Sequence, residues 1–294
     1  MYSRIQSNQQ QPQNFSLPAI LRLVRATNLL IVALTQAIVG VVVRPAGTDW
    51  LPQLLKPSLW MLIAATVLVT AGGYIINDYY DIKIDIINKP SRVVIDRHLK
   101  RRIAIVLHLI CTFLGIFLAF GLGTKMGLIV TGSAFVLWFY SNFLKRQPLW
   151  GNVAVAAMSA LAVWLPAYYF QNRLLMIGLF AGYAFLVSLI REIVKDMEDM
   201  RGDARYGCRT LPIVWGIRRT KWLLVVLAVG FGLGLPIGAY KLPTLAMYYL
   251  LGLALPLVYF IRKLVAADKI RDYRYLSSFC KILMLLGVVT MLFV

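Results

Sequence analysis

The sequence predicts an all-α polytopic membrane protein with about nine transmembrane helices. Three observations predict it. Hydrophobic residues make up 60% of the 294 positions and charged residues only 15%, against about half and about a quarter in a soluble domain. The mean hydropathy is +0.73. The apolar residues fall in blocks of membrane-crossing length separated by short charged loops. A soluble globular enzyme and a disordered chain are both excluded.

The elements follow in order. Residues 1–16 contain the polar run from Gln6 to Asn14 and read as a disordered tail. No charged, then apolar, then small pattern ends there, so the tail is not a cleaved signal peptide. Residues 17–294 read as one transmembrane domain. Its candidate spans are 17–43, 58–77, 102–122, 126–143, 152–170, 173–191, 220–240, 242–262 and 276–294, each near the roughly 20 residues that cross a bilayer. The fourth is the shortest.

Charge sets the orientation. The net charge is +19, from 31 Lys and Arg against 12 Asp and Glu. In a soluble protein that excess suggests nucleic acid; here it reflects basic loops beside an anionic leaflet or an anionic substrate, and no nucleic-acid partner is expected. With nine spans, all Lys and Arg except Arg44, Lys56, Lys125, Arg173 and Lys241 lie on the side of the N-terminus. That side is expected to be cytoplasmic. Cys111, Cys208 and Cys280 are scattered, and His98 and His108 are the only histidines. Neither a disulfide framework nor a zinc site is indicated. His108, inside the third span, is expected to be a hydrogen-bonded structural residue.

Acidic residues gather at two places on the basic side. Asp78, Asp81 and Asp85 end the second span; Glu192, Asp196, Glu198, Asp199 and Asp203 end the sixth. On a helix, Asn77, Asp81 and Asp85 share one face, as do Glu192, Asp196, Asp199 and Asp203. Like charges at that spacing repel, so an isolated helix gains nothing from them. Hard oxygen ligands converging at an interface suit Mg²⁺, which commonly bridges carboxylates to phosphates. Solvated helix ends paired with nearby Lys and Arg would explain one cluster; two favour a metal–phosphate site. Lys83, Lys89, Arg92, Lys195, Arg201 and Arg205 are placed to neutralise an anionic ligand.

Asn77-Asp78-x-x-Asp81-x-x-x-Asp85 followed by Asn88-Lys89-Pro90 resembles the first signature of the UbiA-type intramembrane prenyltransferases. Asp196-x-x-Asp199-x-x-x-Asp203, with Gly207 and Thr210 beyond it, resembles the second. The resemblance covers nearly the whole chain. Lys89-Pro90-Ser91-Arg92 departs from the family's usual Asn-Arg-Pro-x-Arg-Pro run.

The resemblance implies a helical bundle around a central cavity open sideways to lipid. Asn77, Asp78, Asp81, Asp85, Asp196, Asp199 and Asp203 would hold Mg²⁺ on the diphosphate of a polyprenyl donor, with Asp78, Asp81 and Asp199 the expected catalytic carboxylates. A lipophilic acceptor would then capture the prenyl carbocation away from water. Arg22, Arg25 and Asn28 recur at a spacing of three near the start of the first span. The family has a comparable region, which favours Asn28 as a cavity residue; snorkelling accounts equally well for Arg22 and Arg25. Tyr140 and Lys145 match a Tyr…Leu-Lys-Arg segment placed near the diphosphate in the family. Asn152 reads as a helix cap or a cavity donor. With Lys83, Arg92 and Lys195 these complete the expected substrate-binding set. Tyr74, Tyr79 and Tyr80 are either lining of the cation path or ordinary interfacial tyrosines.

The segment Ser277 to Gly287 resembles the endings of the geranylgeranylglycerol-phosphate geranylgeranyltransferase branch. Transfer to that ether-lipid acceptor is the preferred expectation, ahead of an aromatic prenyltransferase of quinone biosynthesis. A transporter is the distant alternative, without an evident inverted repeat. The expected location is the inner or plasma membrane of a prokaryote, with the mouth of the site facing the cytoplasm.

Overall fold

The computed structural model describes residues 17–239 and 244–293. The expected polar tail lies outside them. The chain is all-helical: among the described residues the sole β feature is an isolated bridge between Ile95 and Leu99.

The helices are α1 (Leu17–Leu23), α2 (Ala26–Val42), α3 (Trp50–Leu54), α4 (Pro57–Asn88), α5 (Arg101–Gly121), α6 (Thr124–Asn142) and α7 (Trp150–Phe170). After them come α8 (Leu174–Arg205), α9 (Leu211–Trp215), α10 (Ile217–Ala239), α11 (Thr244–Gly252), α12 (Ala254–Ala266) and α13 (Ile270–Thr290). Short 3₁₀ turns cover Pro90–Arg92, Leu144–Arg146 and Met291–Phe293.

The expected count of nine spans is not matched one for one. Six described helices are long and apolar enough to cross a membrane, and the bent pair α1–α2 makes a seventh. The first expected span, 17–43, breaks by 61° between Leu23 and Ala26, where Arg25 takes a left-handed backbone (φ 53°). No glycine or proline announces that break. The eighth, 242–262, divides into α11 and α12, which meet at Leu253. In α6, the shortest expected span, Thr124, Lys125, Thr131, Ser133, Ser141 and Asn142 dilute the apolar content.

The second and sixth spans run longer than expected. Both α4 and α8 have 32 residues, so each extends about 48 Å where the hydrocarbon layer is about 30 Å thick. Pro57 at the first turn of α4 presets the helical φ there. The surplus turns of both helices carry the acidic motifs, which are therefore helical as expected.

Burial follows a lipid solvent. Helix α5 turns Ile110, Phe113 and Phe117 outward, the last 73% exposed, where acyl chains would cover them. The largest core packs α8 against α7, α10, α12 and α13 through Ile193, Leu224, Phe260 and Leu276. A second joins α2, α7 and α8 through Val39, Val163 and Ile177. His108 on α5 sits 2.9 Å from the carbonyl oxygen of Gly72 on α4, the structural role expected of it.

Candidate active site

Helices α2, α4, α6, α7, α8 and α13 wall a chamber of about 200 Å³. Its polar lining includes Arg25, Asn28, Tyr74, Asn77, Tyr140, Arg191, Glu192, Lys195 and Lys281. An apolar cavity of about 140 Å³ adjoins it, sharing Ile31, Val32, Ser159, Ala162 and Met284 and continuing past Phe180 and Phe231. A polar end opening into a hydrocarbon-lined extension suits an amphiphile with an anionic head.

The two acidic helix ends meet through Asn88 and Lys89. The Asn88 side chain donates to the carbonyl of Asp199 at 2.8 Å and accepts from the Gly202 amide at 2.8 Å. A Cβ on Gly202 would lie 2.5 Å from the Asn88 amide nitrogen. Glycine thus permits the close approach of α8 to α4. Lys89 Nζ then reaches Asp199 Oδ2 at 2.6 Å and Glu198 at 3.9 Å. Both contacts are partly buried, so they persist better against salt than surface pairs do.

Each expected catalytic carboxylate meets a cation. Arg25 Nη2 donates to Asp78 Oδ1 at 2.7 Å, and its guanidinium lies 4.8 Å from the centre of the Tyr74 ring. Lys145 Nζ donates to Asp81 Oδ1 at 2.5 Å. That lysine sits on the turn between α6 and α7, seated by Gly151, where a Cβ would come within 2.9 Å of the Leu144 carbonyl oxygen and Lys145 Cα. Asn152, 6% exposed, donates to Asp196 Oδ2 at 2.8 Å, and no side-chain cap is made at that end of α7. Lys195 approaches Glu192 at 3.4 Å, and Arg191 pairs with the same carboxylate.

The sequence-predicted residues divide in two. Asn28, Asn77, Tyr140 and Lys195 line the chamber, and Asp78, Asp81, Asp196, Asp199, Lys145 and Asn152 take part in four separate pairs at its mouth. Asp85 and Asp203 stand on the same two helices beside them. Arg22, Lys83 and Arg92 are exposed and do not line the chamber. Arg25 takes the place expected of Arg22, because the left-handed turn swings it toward Asp78. Arg191 and Lys281 were not among the expected site residues. Lys281, an ionisable side chain inside an otherwise apolar span, carried a signal of its own, whereas Arg191 sits where its span gives way to the acidic cluster.

Among the described residues no three acidic, histidine or cysteine side chains stand close enough to make a ready-formed metal cage. The reason is visible in the pairs above: Asp78, Asp81 and Asp199 turn toward cations instead of toward one another. The donor chemistry nonetheless fits a hard divalent ion. Asn77 Oδ1 and Asp199 Oδ1 are buried without a hydrogen-bond partner, and both are oxygen ligands of the kind Mg²⁺ takes.

Residues 26–285 match the UbiA prenyltransferase family. A digeranylgeranylglyceryl phosphate synthase of Saccharolobus solfataricus is 34% identical over 271 residues, spanning 90% of this chain and 94% of the relative. One of Methanospirillum hungatei is 32% identical over 214 residues, 71% of this chain and 73% of the relative. A solved structure described as a digeranylgeranylglyceryl phosphate synthase in membranes has a TM-score of 0.72 at 24% identity, covering 94% of this chain and 97% of the other. A UbiA homologue from Archaeoglobus fulgidus, bound to DMAPP and Mg²⁺, has a TM-score of 0.64 at 15% identity, covering 92% and 98%.

Proposed function

The chain belongs to the UbiA prenyltransferase family and is a membrane-embedded prenyltransferase; on that premise we propose that it transfers a geranylgeranyl group from its diphosphate to geranylgeranylglycerol phosphate. The observation that carries this reading is the joining of two carboxylate-bearing helix ends over a cation-lined chamber that continues into an apolar cavity. Several relatives named digeranylgeranylglyceryl phosphate synthase support the acceptor.

Asn77, Asp78, Asp81 and Asp85 from α4 and Asp196, Asp199 and Asp203 from α8 would hold Mg²⁺, the ion found with DMAPP in the Archaeoglobus fold relative. When bound, that ion neutralises charge on the departing diphosphate. The chain's own residues do the rest. Lys89, Lys145 and Arg25 stand at the mouth, where they attract the diphosphate and offset its developing charge. Asn152 orients Asp196. The apolar walls exclude water from the allylic cation. The bond from the prenyl C1 to the diphosphate oxygen breaks and an ether bond from C1 to the acceptor's hydroxyl oxygen forms. The hydroxyl proton passes to the released diphosphate.

In this reading the mouth faces the cytoplasm from a prokaryotic plasma membrane, and the excess of Lys and Arg on its side supports the orientation. The test is a membrane assay of radiolabelled geranylgeranyl diphosphate against a panel of acceptors, with products identified by mass. Labelled ether lipid phosphate is the expected product. Labelled 4-hydroxybenzoate or dihydroxynaphthoate, with no ether lipid, would overturn the acceptor assignment.

A further inference from the structure

The cations of the site fall into two sets. Lys89 and Lys145 lie at the mouth, each against a motif aspartate. Arg25, Arg191, Lys195 and Lys281 line the chamber itself, where Glu192 is the one lining carboxylate; of the four, Arg25 reaches the mouth, through Asp78. Glu192 is already shared by Arg191 and Lys195. Lys281, on α13, has no acidic partner among the described residues; its Nζ donates to Asn28 Oδ1 at 3.1 Å. Arg191 Nε is buried without a hydrogen-bond partner.

Positive charge and unused donors held in a partly buried chamber cost stability unless an anion completes them. Such a site would be set back from the motif aspartates, by about 7 Å along α8 from Asp196. Arg191 precedes Asp199 by eight residues on the same helix, which sets it about 12 Å deeper along α8. The apolar cavity begins at the same level, at Ile31 and Met284.

We propose that Arg191 and Lys281 form a second anion site, distinct from the diphosphate mouth, that binds the phosphomonoester of the acceptor and selects phosphorylated over neutral acceptors. The inference rests on the proposed prenyl transfer to a glycerol phosphate lipid. It adds which residues read the phosphate. Asn28 and Tyr74, 3.4 Å apart, then flank the acceptor's glycerol, and Met284 and Ile31 its hydrocarbon chain.

Two measurements on the purified full-length protein test it. The first is steady-state kinetics with the phosphorylated acceptor and with the neutral alcohol left by removing its phosphate. Lys281→Met should raise the KM for the phosphorylated acceptor about tenfold or more, as loss of a charge-assisted hydrogen bond does. It should raise that KM far more than the KM for the neutral alcohol, so that the preference for the phosphorylated acceptor is lost, with the donor KM as in the wild type, and Lys281→Arg should recover most of the preference. A matching rise in the donor KM, or an unchanged acceptor KM, would overturn the proposal. The second is binding of glycerol phosphate in detergent with the mouth saturated by Mg²⁺ and pyrophosphate. Wild-type binding that is lost in Lys281→Met supports the site even if the wild type proves inactive on the lipid, an outcome that would count against the proposed function alone. Binding undiminished in the variant would overturn the site while leaving the proposed function standing.

Discussion

Asp81 and Asp199 each sit against a lysine that comes from another part of the chain, Lys145 and Lys89 respectively. Removing Asp81 leaves the partly buried Lys145 ammonium unpaired, removing Asp199 leaves Lys89 only its 3.9 Å contact with Glu198, and either change deletes an oxygen ligand at the mouth. Asp81→Ala and Asp199→Ala should each lower turnover at least about a hundredfold while expression and membrane insertion stay normal. Asp→Asn at either position should fail as well, since the amide keeps the shape but loses the charge that a divalent ion requires. Full activity in any of these variants, assayed in membranes at matched protein level, would remove that residue from the site. At this scale the motif spacing made the acidic residues legible, because i, i+3 and i+4 steps are enough to define a helix face. Arg25 was harder to read than Arg22. Its position depends on a left-handed backbone at a residue type that gives no warning of one. Lys281 belongs to a span whose overall hydrophobicity hid a single charge, and Arg191 stands where its span gives way to the acidic cluster.

The motif helices work because they outlast the bilayer. Once α4 and α8 cross the hydrocarbon layer, their last turns stand clear of it and can face each other. The contact that joins them is Asn88 against Gly202, so the junction is sensitive to one methyl group. Gly202→Ala places a Cβ about where the Asn88 amide now lies. It should cost about 1–3 kcal/mol by overpacking and depress activity more than stability alone explains, because Lys89 and Asp199 are set by the same junction. Thermal unfolding in detergent together with kcat would check this. A variant with wild-type kcat and wild-type Tm would show that the close approach is unimportant. The helical character of both motifs was legible from the sequence, since the acidic residues repeat at helical spacing directly after an apolar span. The broken first span and the divided eighth were not. A break at Arg25 or Leu253 leaves hydropathy unchanged, and only packing against α4 and α13 rewards it.

Across the whole molecule, an apolar cavity adjoins a cation-lined chamber, and α4 and α8, which wall that chamber, carry the carboxylate motifs at their ends. The all-helical membrane class followed from a composition of 60% hydrophobic residues together with apolar blocks long enough to cross a bilayer as helices. The chamber did not, since it is built by six helices distant in sequence. The central claim is that the mouth binds a diphosphate through a divalent ion held by both helix ends. Without that ion the carboxylates repel a ligand of their own sign; with it they attract one. The most direct test is donor binding to the purified protein, measured first with EDTA and then with Mg²⁺ restored. Affinity should fall sharply on chelation, return with Mg²⁺, return at least partly with Mn²⁺ and return poorly with the larger Ca²⁺. Full donor affinity in EDTA would contradict the claim, for the carboxylates would then be merely paired with Arg25, Lys89 and Lys145, and the lysines and arginines alone would hold the diphosphate.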